Sequence, residues 1–169
     1  MDYHLAMQGP AAIGGIMPLS AEMCEAGAMP IWLPYFGVDD VDSAVERAVA
    51  GGAELQLPAF DVPDVGRMAM LAHPHAGMFY VMRGTSPEPS TSFAARAPMV
   101  GHAAWNELAS SDPAAAKTFL SDVFGFTKTD SMDMGPLGEY ESLSVAGGDF
   151  AVGAVMPLME GRPVSLWST

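Results

Sequence analysis

Two histidines are the residues of this chain whose type and spacing come closest to those of a metal site. His73 and His75 stand two positions apart around Pro74. As metal ligands they would need a third donor, and none is nearby in sequence. We therefore interpret the pair as a surface turn between two strands. His4 and His102 could titrate near neutral pH, but neither has an identifiable partner, and we interpret both as surface residues.

No other familiar catalytic arrangement is present in the sequence. There is no Ser-His-Asp order, no phosphate-cradling glycine motif and no nucleotide-binding fingerprint. Cys24 is the single cysteine, which excludes an intrachain disulfide and a cysteine metal cluster. The glycine pairs at 14–15, 51–52 and 147–148 are interpreted as turn or bulge glycines.

Composition narrows the class of protein. The 169 residues include 20 acidic and 7 basic side chains, for a formal charge of −13. This charge would repel phosphate backbones, so we predict no nucleic-acid partner, whereas a cationic ligand would be attracted. The other interpretation is that the acids form a solvated surface. No apolar run reaches the roughly 20 residues that span a bilayer, and no secretory leader is visible. We predict a cytoplasmic protein without a membrane partner.

The elements that would position any site form a repeat. Residues 105–125 indicate a strand, a capped turn at residues 110–113, a helix and a glycine stop. Residues 31–52 follow the same plan, with Asp39 and Asp40 before a helical pattern. Each copy is followed by three short strand patterns. We predict β-α-β-β-β units at residues 30–83 and 99–158, joined by a Ser- and Pro-rich linker at residues 84–98.

Partial units flank the two complete ones. The segment AAIGGIMPL at residues 11–19 matches FAVGAVMPL at residues 150–158. We therefore interpret residues 1–29 as the trailing hairpin of an incomplete unit and its connection, and residues 159–169 as the leading strand of another. A natural boundary, a truncation and completion by another chain are all compatible with this pattern. Unpaired strand edges favour the exchange of strands between two copies of a chain. We therefore predict a homodimer, with strand exchange as one way of forming it.

The segments DPAAAKTFLSDVFGF, WNEL and LPYF with VDDVD resemble the vicinal oxygen chelate superfamily, in particular its tandem-repeat glyoxalase-like proteins. That superfamily includes glyoxalase I, extradiol dioxygenases and the bleomycin and fosfomycin resistance proteins. The resemblance covers almost the whole chain. It implies an α+β fold in which paired β-α-β-β-β units form a cup-shaped mixed sheet that binds a small molecule.

The resemblance also implies where metal ligands would stand. Metal-using members take a His, Glu or Gln from the first and last strands of each unit. The corresponding positions here are Leu33 and Trp105 on the first strands, and Tyr80 and a position near Gly153 on the last. None of these supplies an imidazole or a carboxylate. We therefore predict no metal and no cofactor, and the metal-dependent glyoxalase and dioxygenase activities are placed in doubt.

The same resemblance, combined with strand alternation, implies a mostly apolar and aromatic pocket. Its predicted ligand-binding residues are Leu33, Tyr35, Tyr80, Met82, Trp105 and Glu107. Glu107 is the one candidate catalytic acid or base, because burial would raise its pKa. The alternative is that Glu107 lies at the rim of the cup, hydrogen-bonded or solvated.

Three functions are compatible with this pattern. The leading hypothesis is a glyoxalase- or bleomycin-resistance-like protein that binds a small hydrophobic or aromatic molecule in a metal-free cup. The first alternative is a metal-dependent lyase, isomerase or dioxygenase-type enzyme whose site is assembled between chains. The second is a truncated interaction module without activity of its own. The sequence does not decide whether the protein is an enzyme, and it does not identify a substrate.

Overall fold

The computed structural model describes residues 2–161 and 164–168. The chain starts with a hairpin of β1 (His4–Gln8) and β2 (Ala11–Ile16), followed by the short helix α1 (Ala21–Glu25). The Ser20 side chain caps α1 by accepting a hydrogen bond from the Met23 amide at 3.2 Å. The chain therefore begins with an antiparallel hairpin and one short helix.

Two successive segments share the order β-α-β-β-β. The first contains β3 (Tyr35–Gly37), α2 (Val41–Ala50), β4 (Glu54–Val62), β5 (Gly66–His73) and β6 (Gly77–Gly84). The second contains β7 (Asn106–Ser110), α3 (Pro113–Phe124), β8 (Thr127–Asp133), a 3-10 turn (Gly135–Leu137), β9 (Glu139–Ser144) and β10 (Gly153–Pro157). A last strand, β11, covers Leu166–Ser168. We call these segments the first and the second unit.

The two units have the same strand order. The first forms a four-stranded sheet in the order β3-β6-β5-β4, and the second contributes four strands to a five-stranded sheet in the order β11-β7-β10-β9-β8. The first and last strands of each unit, β3 with β6 and β7 with β10, pair in parallel, and the other pairs are antiparallel. Mixed sheets with a few helices confirm the predicted α+β class.

Two prolines change strand lengths relative to the sequence prediction. The apolar and aromatic pattern of residues 30–38 is typical of a strand, but Pro34 lacks an amide donor, and regular pairing covers only Tyr35–Gly37. The two prolines within residues 58–66 are typical of a loop, but β4 continues through Pro58 to Val62. Pro58 is tolerated because β4 is an edge strand whose register shifts between Leu57 and Phe60.

The two long helices start as their sequences predict. Asp40 caps α2 by accepting a hydrogen bond from the Ser43 amide at 2.7 Å, and Asp112 caps α3 through the Ala115 amide at 3.0 Å. Pro113 occupies the first turn of α3, where no amide donor is needed. These caps fix where each first strand ends, and therefore which residues of β3 and β7 occupy equivalent positions.

One hydrophobic core serves both units. Phe36 of β3 packs against Phe79, Phe124 and Trp167, which come from both units and from β11. The Trp167 indole also donates a hydrogen bond to the Ala76 carbonyl oxygen at 2.7 Å. The buried cluster comprises side chains of both helices and of both larger sheets, among them Val41, Ala44, Ala48, Leu71, Phe79, Val81, Leu108, Ala116, Phe119, Leu120, Leu143 and Val155.

This shared core determines which sheet faces point outward. Side chains alternate across a strand, and Phe79 and Val81 of β6 enter the core, so Met78, Tyr80 and Met82 lie on the opposite face. Likewise Leu108 and Val155 enter the core, so Glu107 and Ala154 lie on the opposite face of the five-stranded sheet. Each larger sheet therefore turns one face away from the core. No helix in the described part of the chain is long and apolar enough to cross a membrane.

Candidate functional site

The six predicted ligand-binding residues fall into two groups on two sheets. Tyr35 and Tyr80 are register partners on β3 and β6, and Met82 is paired with Gly37 on the same two strands. Leu33 lies two residues before Tyr35, in the segment that leads into β3. Glu107 belongs to β7 of the other sheet, and Trp105 is the residue directly before that strand. Both groups lie on faces that point away from the shared core.

The first group is centred on a pair of stacked rings. The ring centroids of Tyr35 and Tyr80 are 4.6 Å apart and their planes differ by 6°. The parallel register places them side by side, and the Tyr80 amide donates to the Pro34 carbonyl oxygen at 2.9 Å. Tyr35 is 45% exposed, so the stack has an open side.

Methionines extend this surface across the sheet. Met70 of β5 is the register partner of Tyr80, and Met68 is the partner of Met82. Met78 lies on the same face of β6, two residues before Tyr80. We call this surface the tyrosine–methionine face and define it by Tyr35, Met68, Met70, Met78, Tyr80 and Met82. Thioether side chains adapt their shape and make favourable contacts with aromatic rings.

Tyr3 is a member of this site that the sequence analysis missed. Its ring lies directly against Gly15 of β2, where any Cβ would overlap it. Gly15 therefore leaves room for the Tyr3 side chain, whereas a Cβ at Gly14 would meet nothing within 4 Å. Burial raises the pKa of the Tyr35 phenol, and the charge and hydrogen bond of Tyr3 raise it further. Burial also raises the pKa of Tyr80. Both stacked phenols therefore stay protonated and uncharged at neutral pH.

The second group is a chain of hydrogen bonds. The Trp105 indole donates to the Tyr140 hydroxyl at 2.7 Å. The Tyr140 hydroxyl in turn donates to the Glu107 carboxylate. All three side chains are partly buried. We call this surface the tryptophan–glutamate face and define it by Trp105, Glu107, Tyr140, Ser142 and Ala154. Tyr140 is on β9, and only the pairing of β9 with β10 and of β10 with β7 brings it close to Glu107.

The protonation of this chain follows from its partners. Burial, followed by the hydrogen bond to Glu107, raises the pKa of Tyr140 to about 12. A deprotonated phenol could not donate to the carboxylate, so this hydrogen bond favours the protonated phenol. The arrangement is therefore an indole N–H, a neutral phenol and the carboxylate of Glu107. It can bind a cation or accept a proton, and it offers one oxygen-donor side chain to a metal.

The positions at which the family resemblance implies metal ligands lack suitable donors. Asp40 and Asp112 cap equivalent helices, and counting back seven residues from each gives Leu33 and Trp105. On the last strands, the parallel register pairs Tyr35 with Tyr80 and Glu107 with Ala154, which makes Ala154 the counterpart of Tyr80. Leucine, tryptophan and alanine offer no ligand atom to a divalent ion, and a protonated phenol is a poor one. The residues present therefore do not fit the metal.

The His, Cys, Asp and Glu side chains of the described residues are not grouped as metal ligands. Within residues 2–161 and 164–168, no group of three or more His, Cys, Asp or Glu side chains could hold a metal ion. His73 Nδ1 already accepts hydrogen bonds from the amides of His75 and Ala76, at 3.2 and 3.1 Å. His75 Nδ1 lies 3.0 Å from the Ser111 hydroxyl oxygen.

The expectation of a surface turn was wrong for His73 itself. Its side chain is only 8% exposed and stacks on Phe119 of α3, with 4.0 Å between ring centroids. Burial lowers the pKa of His73, and the nearby charge of His75 lowers it further. A cavity of about 270 Å³ lies beside this pair, lined by Gly51, His73, His75, Ala115, Thr118, Phe119 and Asp122. His73 therefore helps to join the two units.

Comparison with proteins of known name identifies close sequence relatives. The chain is 33% identical over 162 residues to CFP32 of Mycobacterium bovis and of Mycobacterium tuberculosis, which is named as a suspected glyoxylase. It is 31% identical over 105 residues to the anthracycline biosynthesis protein DnrV of Streptomyces peucetius. These matches cover 95% and 62% of this chain, but only 59% of CFP32 and 37% of DnrV. No model of a protein family matches the sequence.

Among solved structures, the Mn(II)-bound glyoxalase from Novosphingobium aromaticivorans is similar to this chain. The TM-score is 0.52 and the sequence identity is 18%, over 78% of this chain and 42% of the glyoxalase. At this identity the similarity concerns the fold alone. It agrees with the β-α-β-β-β plan that both units follow.

Proposed function

This chain belongs to the vicinal oxygen chelate superfamily, and from that premise we propose that it binds a small hydrophobic or aromatic molecule without using a metal. The proposed contacts are the six residues predicted from the sequence, in two groups. Leu33, Tyr35, Tyr80 and Met82 would contact ligand on one sheet, and Trp105 and Glu107 on the other. The chain spans only 59% of the length of CFP32. The activity of the whole protein is therefore also a proposal.

The observation that carries the proposal is the stack of Tyr35 on Tyr80. Two parallel, stacked rings, of which Tyr35 is 45% exposed, provide a surface on which a third planar ring can stack. The phenols are uncharged at neutral pH because burial raises the pKa of both. The adjoining methionines can adjust to ligands of different outline. A flat, mainly apolar molecule therefore suits the tyrosine–methionine face.

The names of two relatives point to the same class of molecule. DnrV of Streptomyces peucetius and DauV of Streptomyces sp. strain C5 are both named for anthracycline biosynthesis. An anthracycline is a planar, polycyclic aromatic molecule. We use it as the first probe because its shape matches the stacked tyrosines, and we assign no step of a biosynthesis to this chain.

We propose a metal-free site because the side chains at the expected ligand positions are poor metal donors. Leu33, Trp105 and Ala154 carry no ligand atoms that a divalent ion prefers. The rival function is a metal-dependent lyase, isomerase or dioxygenase with a site assembled between chains. It predicts a stoichiometric divalent ion in the purified protein that is lost when His73 or His75 is replaced. Elemental analysis of the wild type and these two variants distinguishes the functions.

We further propose that a second copy completes each ligand cup, in a homodimer. The outward faces leave apolar side chains exposed, including Tyr35 at 45% and Leu57 at 38%. The edge strands β4 and β8 have one unpaired side each within their sheets, which permits strand exchange between copies. Light scattering at micromolar concentration tests this part. A dimer mass supports it, and a monomer mass contradicts it.

The binding experiment uses daunomycinone, the neutral and intrinsically fluorescent ring system of an anthracycline without its amino sugar. We expect saturable binding to the wild type, and we expect Tyr35→Ala to weaken it about tenfold, or about 1.4 kcal/mol, because a ring stack is lost. Val49→Ala is the control, since Val49 is an apolar side chain on α2 with 47% exposure, away from both outward faces. No saturable binding, or equal affinity of Tyr35→Ala and the wild type, would contradict the proposal.

A further inference from the structure

Two partly buried glutamates of the second unit differ in how their charge is balanced. Glu141 lies between two lysines, with Lys117 Nζ in contact with one carboxylate oxygen and Lys128 Nζ 2.6 Å from the other. Glu107 accepts its recorded hydrogen bond from Tyr140, a neutral donor. In the part of the chain that the structure describes, no lysine, arginine or histidine forms an ion pair with Glu107.

The surroundings of Glu107 match those that recognise an organic cation. Trp105 and Tyr140 provide two aromatic rings linked to the carboxylate by consecutive hydrogen bonds. An ammonium ion is attracted both to the face of such rings and to a carboxylate, most strongly where water is partly excluded. The phenol proton points at the carboxylate, so the charge of Glu107 is held in a fixed position rather than on a freely moving side chain.

The neighbours of Glu107 in its row of the sheet are small. Its register partners are Ala154 on β10 and Ser168 on β11, and Ser142 is the next position on β9. All three side chains are small and uncharged. No large side chain in this row covers the carboxylate or supplies a positive charge. The formal charge of −13 further raises the local concentration of cations around the protein.

We propose that Trp105, Tyr140 and Glu107 form a recognition site for an organic ammonium ion, separate from the tyrosine–methionine face. This inference rests on the proposed function only in assuming that the outward faces bind small molecules. The two sites are separate because each sheet turns its other face to the shared core. The tyrosine–methionine face selects flat neutral rings, whereas the tryptophan–glutamate face selects positive charge.

The test compares choline with 3,3-dimethyl-1-butanol, a neutral molecule of nearly the same shape. The readout is the indole N–H resonance of Trp105 in a nitrogen-15 NMR spectrum, assigned with Trp105→Phe. We expect choline to shift this resonance saturably and the neutral isostere to bind at least about tenfold more weakly. Raising the salt concentration should weaken choline binding, because the attraction is partly electrostatic.

The variants separate charge from packing. Glu107→Gln keeps the shape and removes the charge, and we expect it to lose at least about tenfold in choline affinity. Glu46→Gln, an exposed residue on α2, makes the same change in net charge and should leave affinity unchanged. Tyr140→Phe keeps both rings and the carboxylate and should still bind choline. If Glu107→Gln does not fold, the comparison of choline with its neutral isostere on the wild type still tests the role of charge.

Each outcome bears on one site. Equal binding of choline and its isostere, full affinity in Glu107→Gln, or no choline binding by the folded wild type would overturn the ammonium site. Tyr35→Ala should weaken daunomycinone binding and leave choline binding unaffected. If choline binds through Glu107 while daunomycinone binds nowhere, the ammonium site stands and the aromatic proposal fails. If daunomycinone binds through Tyr35 while choline does not bind, the ammonium site alone is overturned.

Discussion

His73 stacks on Phe119, with 4.0 Å between the ring centroids and 20° between the ring planes. His73 ends β5 of the first unit, and Phe119 lies in α3 of the second. Phe119 also contacts Phe79 of the first unit at 5.9 Å between centroids. The units are therefore joined by aromatic packing from inside the core, and we expect them to unfold in one transition.

Replacing Phe119 by alanine should destabilise both units together. Phe119 is 4% exposed, and removing a buried phenylalanine ring typically costs about 3–5 kcal/mol. The measurement is urea unfolding followed by circular dichroism and by tryptophan fluorescence. We expect one shared, lower midpoint for both signals. Val49→Ala, at an exposed position of α2, should change the midpoint little. Separate transitions in the wild type would contradict the shared core.

The stability of the protein should fall as the pH drops below the ordinary pKa of histidine, 6.5. His73 Nδ1 accepts two amide hydrogen bonds, which requires the neutral ring. Burial and the charge of His75 lower the pKa of His73 in the folded state. The unfolded chain therefore binds this proton more readily, so the stabilisation is full above pH 6.5 and is lost as the pH falls through the folded pKa.

Two variants isolate His73 from the other groups that titrate. In His73→Asn the side-chain oxygen can replace Nδ1 as acceptor but does not titrate. We expect it to flatten the dependence of the unfolding free energy on pH between about 5 and 7.5. His4→Asn, whose side chain is 68% exposed, should keep the wild-type slope. His75 and Asp122 line the same cavity and are the other titratable side chains that face His73 there. An unchanged slope in His73→Asn would exclude His73 as the cause.

Local signals in the sequence predicted the helices and the repeat. Asp40 and Asp112 act as caps because each reaches an amide three residues ahead, an interaction that depends on neighbouring residues alone. Strand length was less predictable. Pro58 suggests a loop, but its position on an edge strand lets β4 continue, and edge position is a property of the assembled sheet.

The arrangement of the candidate site follows from sequence only within single strands. Alternation puts Tyr80 and Met82 on the face of β6 opposite the buried Phe79, and their contact with a ligand stays a prediction. Tyr140 was missed because its contact with Glu107 crosses two strand pairs, and register across strands is not encoded locally. The division into two outward faces depends on how the units pack, which requires long-range contacts such as that of His73 with Phe119.

Replacing Glu141 by glutamine should destabilise the second unit modestly. Burial raises the pKa of Glu141, but hydrogen bonds from Lys117 and Lys128 outweigh this and leave it below its ordinary value of 4.5. We expect Glu141→Gln to cost about 1 kcal/mol near neutral pH, since the partly exposed lysines are screened by solvent. Urea unfolding provides the measurement, with Glu46→Gln as the exposed control. The difference from the wild type should shrink in acid, as Glu141 becomes protonated in the folded state.

Replacing Gly125 by alanine should destabilise the end of α3 through both backbone strain and a steric contact. Its φ is +72°, in the left-handed region, and a Cβ there would lie 2.9 Å from the Ala146 Cβ. Gly135 is a matched control, because its φ is +62° and an added Cβ would meet nothing within 4 Å. Gly135→Ala should therefore cost only the backbone penalty, about 1 kcal/mol. Gly125→Ala should cost about 2–3 kcal/mol, because a steric contact is added. Urea midpoints measure the difference, and equal costs for the two variants would show that the strand-flanking loop at Ala146 yields to the added methyl group.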